Sequence, residues 1–256
     1  MTTKVVEFND VPALKKALEG KDVACALMEP AMTNHGIILP DKGYHDQLRT
    51  LTRRYGTLLI IDETHTLSCG IGGYTRQCGL DPDVITMGKP LASGIPVAAY
   101  GISQEVADLV LDRVLDDEDE SGIGGTLSGN ALAVSAMKAT LQKLYTKENF
   151  RRMIPLAKRF EKGIQDEIDA ESLPWQVTRL GIRIEYSFMP RAPRNGSEVD
   201  AYKDSELEKL MHLMALNRGV LITPFHNMSL ISPATTKHDV DRHTEIFEES
   251  VSAILG

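Results

Sequence analysis

Residues 57–101 read TLLIIDETHTLSCGIGGYTRQCGLDPDVITMGKPLASGIPVAAYG and carry the strongest signal for the fold. It contains two short apolar runs, at residues 57–61 and 84–87, that are rich in β-branched side chains. Uninterrupted runs of this length are typical of strands buried on both faces of a sheet. Residues 62–82 lie between them and are long enough for the crossover that parallel strands require. The stretch therefore predicts an α/β fold built on a mostly parallel sheet.

A carboxylate and an amine follow these two predicted strands directly. The first run stops at Asp62, and the second stops at Gly88 and Lys89. Both charged side chains would lie at the carboxyl edge of the sheet, where ligands of open α/β sheets bind. They could form a salt bridge with each other. They could also serve pyridoxal phosphate, which bonds to a lysine amine and needs a carboxylate that keeps its ring nitrogen protonated.

Four short motifs extend the argument beyond this pair. They are Glu29-Pro30, Asp62-Glu63, Gly88-Lys89 before a turn rich in glycine and proline, and GTLSGN at residues 125–130. In this order they resemble the class-III pyridoxal-phosphate aminotransferases, within them the glutamate-1-semialdehyde aminomutase-like branch. The resemblance runs from about Val5 to the C-terminus. It implies the type I fold of pyridoxal-phosphate enzymes, with a large domain and a small α+β domain.

The resemblance also implies roles for individual residues. The family's lysine, here Lys89, bonds to the cofactor and later carries a proton, and its aspartate, here Asp62, holds the pyridine nitrogen. Thr126, which follows Gly125, would reach the cofactor phosphate of the neighbouring subunit, so a homodimer is expected. Thr64 stands where many relatives carry a valine that packs on the cofactor ring, and threonine can also pack there.

Several polar residues near the motifs have two interpretations. His65 is either a loop histidine bonded to backbone or a contact to the cofactor ring or substrate. Glu63 is more consistent with a structural role. Glu29 and Asn34 match positions near the active site of relatives, but each could equally stabilise the backbone. The remaining histidines show no ligand spacing such as HExxH, so no metal site is predicted.

One part of the family pattern has no counterpart in the sequence. Relatives carry a further N-terminal portion that supplies the Gly/Ser-rich helix start for the phosphate and an aromatic residue that stacks on the ring. The glycine-rich stretch at residues 70–73 follows the aspartate motif and matches a different loop. Because a phosphate at a helix N-terminus needs free backbone N–H groups, we expect this chain to be the C-terminal part of an aminotransferase. It could be a fragment, a truncated gene model, or one half of a split enzyme whose other half is a second chain.

The apolar pattern divides the chain into two predicted domains, 1–145 and 146–256. The first is the part of the large domain that this chain contains, together with a helix that joins the two domains. Its predicted elements are a strand and a helix within 1–21, a strand at 23–28, a helix from Tyr44 that Gly56 ends, a returning antiparallel strand at 97–101 and a helix at 130–145.

The second predicted domain begins with a long amphipathic helix. Its apolar face consists of Phe150, Met153, Ala157, Phe160, Ile164 and Ile168. The alternation at 182–188 predicts a strand with one face on a core, and two more strands are predicted at 220–223 and 228–231. Thr236, with Asp239 three residues on, predicts a capping box at the start of the last helix.

Composition excludes several classes of partner. The 256 residues carry a net charge of −8 and no long basic run, which argues against a nucleic acid or an anionic membrane. Hydrophobic residues make up 42%, enough for a sizeable core, but no apolar stretch reaches transmembrane length. The 3 cysteines share no ligand spacing and suit a reducing cytoplasm.

These observations favour amino-group transfer between an amine or amino acid and a carbonyl acceptor, both small molecules. An aminomutase, which moves the amino group within one molecule, would use the same residues. The alternative from a different class of protein is a non-catalytic remnant that only folds or dimerises.

Overall fold

The larger of the two sheets in the described residues contains both apolar runs of the stretch 57–101. The computed structural model describes residues 2–115, 124–223 and 226–256. The strands lie in the order β1-β2-β3-β4, and their bounds are Cys25–Met28, Leu58–Asp62, Val84–Met87 and Ala99–Ile102. The first three are parallel, and β4 runs antiparallel to β3. The predicted strands at residues 57–61 and 84–87, their parallel pairing and the antiparallel return are therefore confirmed.

Two helices cover one face of this sheet. Helix α1 spans Val11–Leu18 and α2 spans Tyr44–Tyr55. Asp10 caps the first helix through the N–H of Ala13, and Gly56 ends the second in a left-handed conformation. The buried core between helices and sheet consists of Leu14, Leu18, Leu48, Leu51, Leu59 and Ile61.

The strand predicted before α1 is wrong. Residues 2–7 adopt no regular secondary structure, and Val5 is 94% exposed. Lys4 instead donates hydrogen bonds to the carbonyl of Ala17 at 3.0 Å and to Asp22 at 2.7 Å. The segment is therefore held by side-chain contacts to the end of α1 and the turn after it.

The crossover between β2 and β3 is made of short helical pieces. A 3₁₀ turn at Thr66–Cys69 precedes helix α3 at Gly73–Cys78. After β4 follow α4 at Gln104–Leu115 and α5 at Ala131–Lys143, which Asn130 caps. The helix predicted at 130–145 is thus present, two residues shorter at its end.

The second sheet is antiparallel and has its own core. Its strands are β5 Gln176–Leu180, β6 Arg183–Ser187 and β7 Met228–Leu230, in that order. The helices of this part are α6 Lys147–Ala170, α7 Gly196–Ala201, α8 Ser205–Asn217 and α9 Lys237–Leu255. The apolar face predicted for α6 is entirely buried, and both halves of the predicted capping box of α9 are present.

Strand β6 packs one face on this core through Ile184 and Tyr186, as predicted, and Arg183 and Glu185 on its other face are buried as well, at 4% and 6% exposure. One prediction for this sheet needs correction. Residues 220–223 form no strand. The carbonyl of Ile222 pairs with the His212 ring at 2.9 Å, and the N–H of Val220 donates to Ala215 in the preceding helix. These bonds occupy backbone groups that a β-ladder would use.

A close contact joins the two sheets beside the carboxyl edge. Gly181, in the turn between β5 and β6, has a φ of +64°, and a Cβ built on it would lie 2.3 Å from the Cα of Cys69. Only glycine tolerates both the conformation and the approach. The hydroxyl of Tyr145 also donates to the carbonyl of Gly70 at 3.0 Å. This contact sets β6 next to the loop that follows Asp62.

Candidate active site

Asp62 and Lys89 lie at the carboxyl ends of neighbouring parallel strands. Asp62 is the last residue of β2 and pairs in register with Thr86 of β3. Lys89 follows β3 after Gly88 and has a φ of +23°, at the edge of the left-handed region that non-glycine residues rarely adopt. Such backbone strain is concentrated at functional sites. The edge of the sheet therefore holds an amine and a carboxylate on adjacent strand ends, as predicted.

Asp62 is oriented by the loop that it begins. Its Oδ1 accepts the backbone N–H of Thr64 at 2.8 Å, which fixes the plane of the carboxylate. A Cβ built on Gly88 would lie 3.4 Å from Cγ2 of Thr64, so the Thr64 side chain packs beside the residue that precedes Lys89. Thr64 thus bonds to one member of the predicted pair and lies next to the residue before the other.

His65 contacts side chains through both ring nitrogens. Its Nε2 lies 2.5 Å from Nζ of Lys89, and its Nδ1 lies 2.7 Å from Oγ1 of Thr33. The Thr33 hydroxyl donates in turn to Glu29. Burial lowers the pKa of His65 to about 4, and the positive charges of Arg183 and Lys89 act in the same direction. The ring is therefore neutral at pH 7. Its nitrogens contact side chains and not backbone, and the predicted contact to the cofactor ring or substrate stays a prediction.

Two residues of this cluster escaped the sequence analysis. Thr33 is completely buried, and Arg183 is 4% exposed and donates from Nη2 to the Thr33 carbonyl at 2.9 Å. Burial lowers the pKa of Arg183, and its Nε is buried without a hydrogen-bond partner among the described residues. A signal for Thr33 was its place four residues after Glu29. Arg183 was visible only as a charge within an alternating strand.

Glu63 has the structural role that its sequence context favoured. It is completely buried, and its carboxylate accepts hydrogen bonds from the Thr66 hydroxyl at 2.5 Å and from the N–H groups of Tyr74 and Thr75. A Cβ on Gly73 would lie 2.6 Å from the carboxyl carbon of Glu63. Glu63 therefore ties the loop after β2 to the first turn of α3.

Among the described residues, Gly125 and Thr126 make no hydrogen bond to Asp62, Thr64, His65 or Lys89. Both are exposed, and they lie in a turn that the N–H of Gly125 closes by donating to the Ser128 hydroxyl at 2.9 Å. Asn34 is also exposed. Of the six predicted site residues, the structure gathers Asp62, Thr64, His65 and Lys89 and leaves the two loop residues facing outward.

In the described part of the chain, no group of three histidine, cysteine, aspartate or glutamate side chains is arranged to hold a metal ion. No helix in the same residues is long and apolar enough to cross a membrane.

Comparison with known proteins identifies the family. The sequence model described as aminotransferase class-III matches residues 3–251. The chain belongs to the class-III aminotransferase family. This class-III chain is 33% identical to glutamate-1-semialdehyde 2,1-aminomutase 2 of Brevibacillus brevis over 250 residues, which cover 95% of the chain and 56% of that protein.

Solved structures show the same fold for this class-III chain. The crystal structure of a glutamate-1-semialdehyde aminomutase from Pseudomonas aeruginosa PAO1 in complex with PMP superposes with a TM-score of 0.94 at 45% identity, covering 98% of the chain and 56% of that structure. An omega-transaminase from Sphaerobacter thermophilus gives a TM-score of 0.86 at 25% identity, covering 97% and 57%. The predicted family and fold are confirmed. The chain spans little more than half the length of these class-III proteins.

Proposed function

We propose that this chain belongs to an enzyme that transfers an amino group between an amine or amino acid and a carbonyl acceptor, with pyridoxal phosphate as cofactor. The observation that carries the proposal is the placement of Asp62 and Lys89 on adjacent strand ends, with His65 in hydrogen-bond contact with the lysine amine. Membership of the class-III family favours the same chemistry.

The side chains at the sheet edge fit two of the three parts of pyridoxal phosphate. Lys89 offers an exposed amine for the aldehyde, and Asp62 offers a carboxylate for the ring nitrogen. The phosphate, a dianion, needs several donors. In this chain the predicted contacts are Gly125 and Thr126, and the N–H of Gly125 is engaged by Ser128. The amine and ring sites therefore fit the cofactor, whereas most of the phosphate donors must come from outside this chain.

The roles of the residues follow from their chemistry. When bound, the cofactor supplies an electron-withdrawing ring that stabilises negative charge on the substrate carbon. Asp62 would hold the ring-nitrogen proton in a charge-assisted hydrogen bond, and the N–H of Thr64 keeps that carboxylate in place. Thr64 would pack against the ring. Lys89 would take a proton from the substrate carbon and return it at a different atom, as a general base and then a general acid.

We also propose that the competent enzyme is a homodimer in the cytoplasm. The outward-facing turn with Gly125 and Thr126 would reach the cofactor phosphate of the second subunit. Helix α5, which follows this turn, exposes apolar side chains that a second subunit could cover, and these are Leu132, Val134 and Leu141. Residues 1–145 and 146–256 would be the two domains of the chain. The remaining phosphate donors would lie in a portion corresponding to the part of the relatives that this chain does not span, in the same polypeptide or in a second chain.

A glutamate-1-semialdehyde-type aminomutase is the second candidate. It is favoured by the names of the Brevibacillus brevis and Pseudomonas aeruginosa proteins, which are both glutamate-1-semialdehyde aminomutases. The two candidates differ in whether the amino group leaves the molecule. Supplying glutamate-1-semialdehyde alone, and then separate amino donors and carbonyl acceptors, would distinguish them.

Trapping the cofactor tests the proposal. The chain is mixed with pyridoxal phosphate, its visible spectrum is recorded, and borohydride is added before peptide mapping. We expect weak binding by the chain alone, tighter binding with the complementary portion, and the label on Lys89. The control variant Lys138→Ala removes an exposed lysine of α5, and its label should still be found on Lys89. Label found mainly on Lys138 or Lys158 would refute the role of Lys89. No labelling in the complemented protein would favour a non-catalytic chain.

A further inference from the structure

Four side chains form a continuous line of hydrogen bonds that ends at the lysine amine. Lys89 Nζ contacts His65 Nε2 at 2.5 Å, His65 Nδ1 contacts Thr33 Oγ1 at 2.7 Å, and the Thr33 hydroxyl contacts a carboxylate oxygen of Glu29. The direct separation of His65 Nδ1 from Glu29 Oε2 is 3.8 Å, so the threonine hydroxyl bridges the two. We name this line, Glu29–Thr33–His65–Lys89, the relay.

We propose that the relay carries a proton between Lys89 and Glu29, and that at pH 7 it rests with His65 in the neutral form that has its hydrogen on Nδ1. This inference rests on the proposed role of Lys89 as the base of amino-group transfer. It assigns proton-transfer roles to Thr33 and Glu29, which would act on the reaction through His65 and Lys89.

The direction of the hydrogen bonds fixes the resting form. The Thr33 hydroxyl has one hydrogen and donates it to the Glu29 carboxylate. Its oxygen must then accept from His65, so Nδ1 carries a hydrogen. A neutral imidazole has a hydrogen on only one nitrogen, which leaves Nε2 as an acceptor for an N–H of Lys89.

Reversing every bond moves one proton along the relay with all atoms conserved. A proton of the Lys89 ammonium passes to His65 Nε2, the Nδ1 hydrogen of His65 passes to Thr33, and the former Thr33 hydrogen passes to Glu29. The ammonium and carboxylate become a neutral amine and a neutral carboxylic acid, while His65 and Thr33 end uncharged as they began. Lys89 is left with a lone pair, which a base needs.

The surroundings of the relay favour this exchange. Burial is the main cause that raises the pKa of Glu29, and the charge of Asp62 also raises it, whereas the hydrogen bonds from Thr33 and the charge of Arg183 act against the shift. The net direction favours the neutral acid. The charged and titratable groups facing His65 are Glu29, Arg183, Lys89, Asp62 and His226. Burial, Arg183 and Lys89 keep the pKa of His65 at about 4, so that the ring does not hold an extra proton at pH 7.

The backbone holds Thr33 in register for this role. Arg183 donates to the Thr33 carbonyl at 2.9 Å, and the N–H of Thr33 donates to Glu29 at 3.4 Å. Met32, the preceding residue, exchanges backbone hydrogen bonds with Ile38 at 3.0 and 2.9 Å. Thr33 is completely buried, so bulk water does not compete for its hydroxyl.

The first experiment reads the protonation of His65 without any cofactor. The chain is labelled with ¹⁵N-histidine, and the chemical shifts of both ring nitrogens are measured at pH 7. We expect a hydrogen on Nδ1, a shift of Nε2 in Lys89→Ala, and a change towards the Nε2–H form in Thr33→Val. Thr52→Val is the matched control, because Thr52 is equally buried and its hydroxyl donates to Arg49. An imidazolium ring, an Nε2–H form in the wild type, or no response to Thr33→Val would overturn the relay.

The second experiment measures the amine itself. The rate at which Lys89 captures pyridoxal at pH 7 is followed by borohydride trapping. We expect about a tenfold decrease in Thr33→Val, the effect of losing one charge-assisted hydrogen bond, and recovery in Thr33→Ser, which restores the hydroxyl. A purely packing role would reverse this order, since serine leaves a cavity and valine does not. If Lys89 captured no aldehyde in any variant, the proposed function would fail, whereas the nitrogen shifts would still decide the relay.

Discussion

Two buried histidines lie in contrasting regions of the molecule. His65 lies at the carboxyl edge of the larger sheet, with a polar side chain on each ring nitrogen. His243 lies on α9 in the core of the second sheet, 4.1 Å from the ring centroid of Phe160 and 6.5 Å from that of Phe247. Its Nδ1 is buried without a hydrogen-bond partner among the described residues. Burial lowers the pKa of both rings to about 4.

The comparison shows that a displaced pKa does not by itself identify a working residue. Desolvation acts on any buried imidazole, whether or not it has a function. What distinguishes His65 is that its two nitrogens connect the amine of Lys89 to a buried hydroxyl and carboxylate. His243 instead packs against the rings of Phe160 and Phe247.

The largest expected effect is at the sheet edge. In a competent enzyme Asp62→Asn should lower kcat by roughly 10²–10³, because a preorganised charge that stabilises the transition state is lost. Cofactor binding and the free energy of unfolding should change much less. Asp81→Asn is the control, because Asp81 is an exposed surface partner of Arg53 and should stay within about twofold. Steady-state kinetics check this, and unchanged turnover in Asp62→Asn would rule out its role at the ring nitrogen.

The second prediction concerns the contact that joins the two regions. Gly181→Ala should lower the free energy of unfolding by about 3 kcal/mol, since the new Cβ would meet the Cys69 backbone and the residue would keep a positive φ. Because this contact lies between β6 and the loop with His65, the His65 ring signals should also shift.

Gly56→Ala separates the two causes in this prediction. Gly56 has a φ of +69°, close to that of Gly181, but its built Cβ meets nothing within 4 Å. It should therefore show only the conformational effect, about 1 kcal/mol. Urea unfolding of both variants measures the difference. Equal losses of stability would mean that the approach to Cys69 is not tight.

The sequence predicted the elements whose signal is local and missed the contacts that depend on tertiary structure. The strands ending at Asp62 and near Lys89 were predictable because buried parallel strands are continuously apolar. Thr33 and Arg183 were not, because they join His65 only when β6 packs across residues 31–38, some 150 positions away in the chain. The strand expected at 220–223 failed for a similar reason, since the His212 side chain occupies one of its backbone carbonyls.

The smallest expected effect is a pH dependence that arises in the core. An unfolded His243 takes up a proton near its usual pKa of 6.5, whereas the folded ring does so only near 4. Between these values the unfolded state binds more protons, so stability is lost as the pH falls from 6.5 towards 4, by about 1 kcal/mol per pH unit for one such group. His65 contributes with the same sign, so the wild type should be acid-sensitive throughout this range. His243→Leu should remove the part that arises in the core, and His238→Leu, an exposed position on the same helix, should leave the slope unchanged. Urea unfolding at pH 6.5 and pH 5.5 measures both slopes. If His243→Leu kept the wild-type slope, the buried ring would take up its proton without unfolding. Burial would then be the only property that His65 and His243 share.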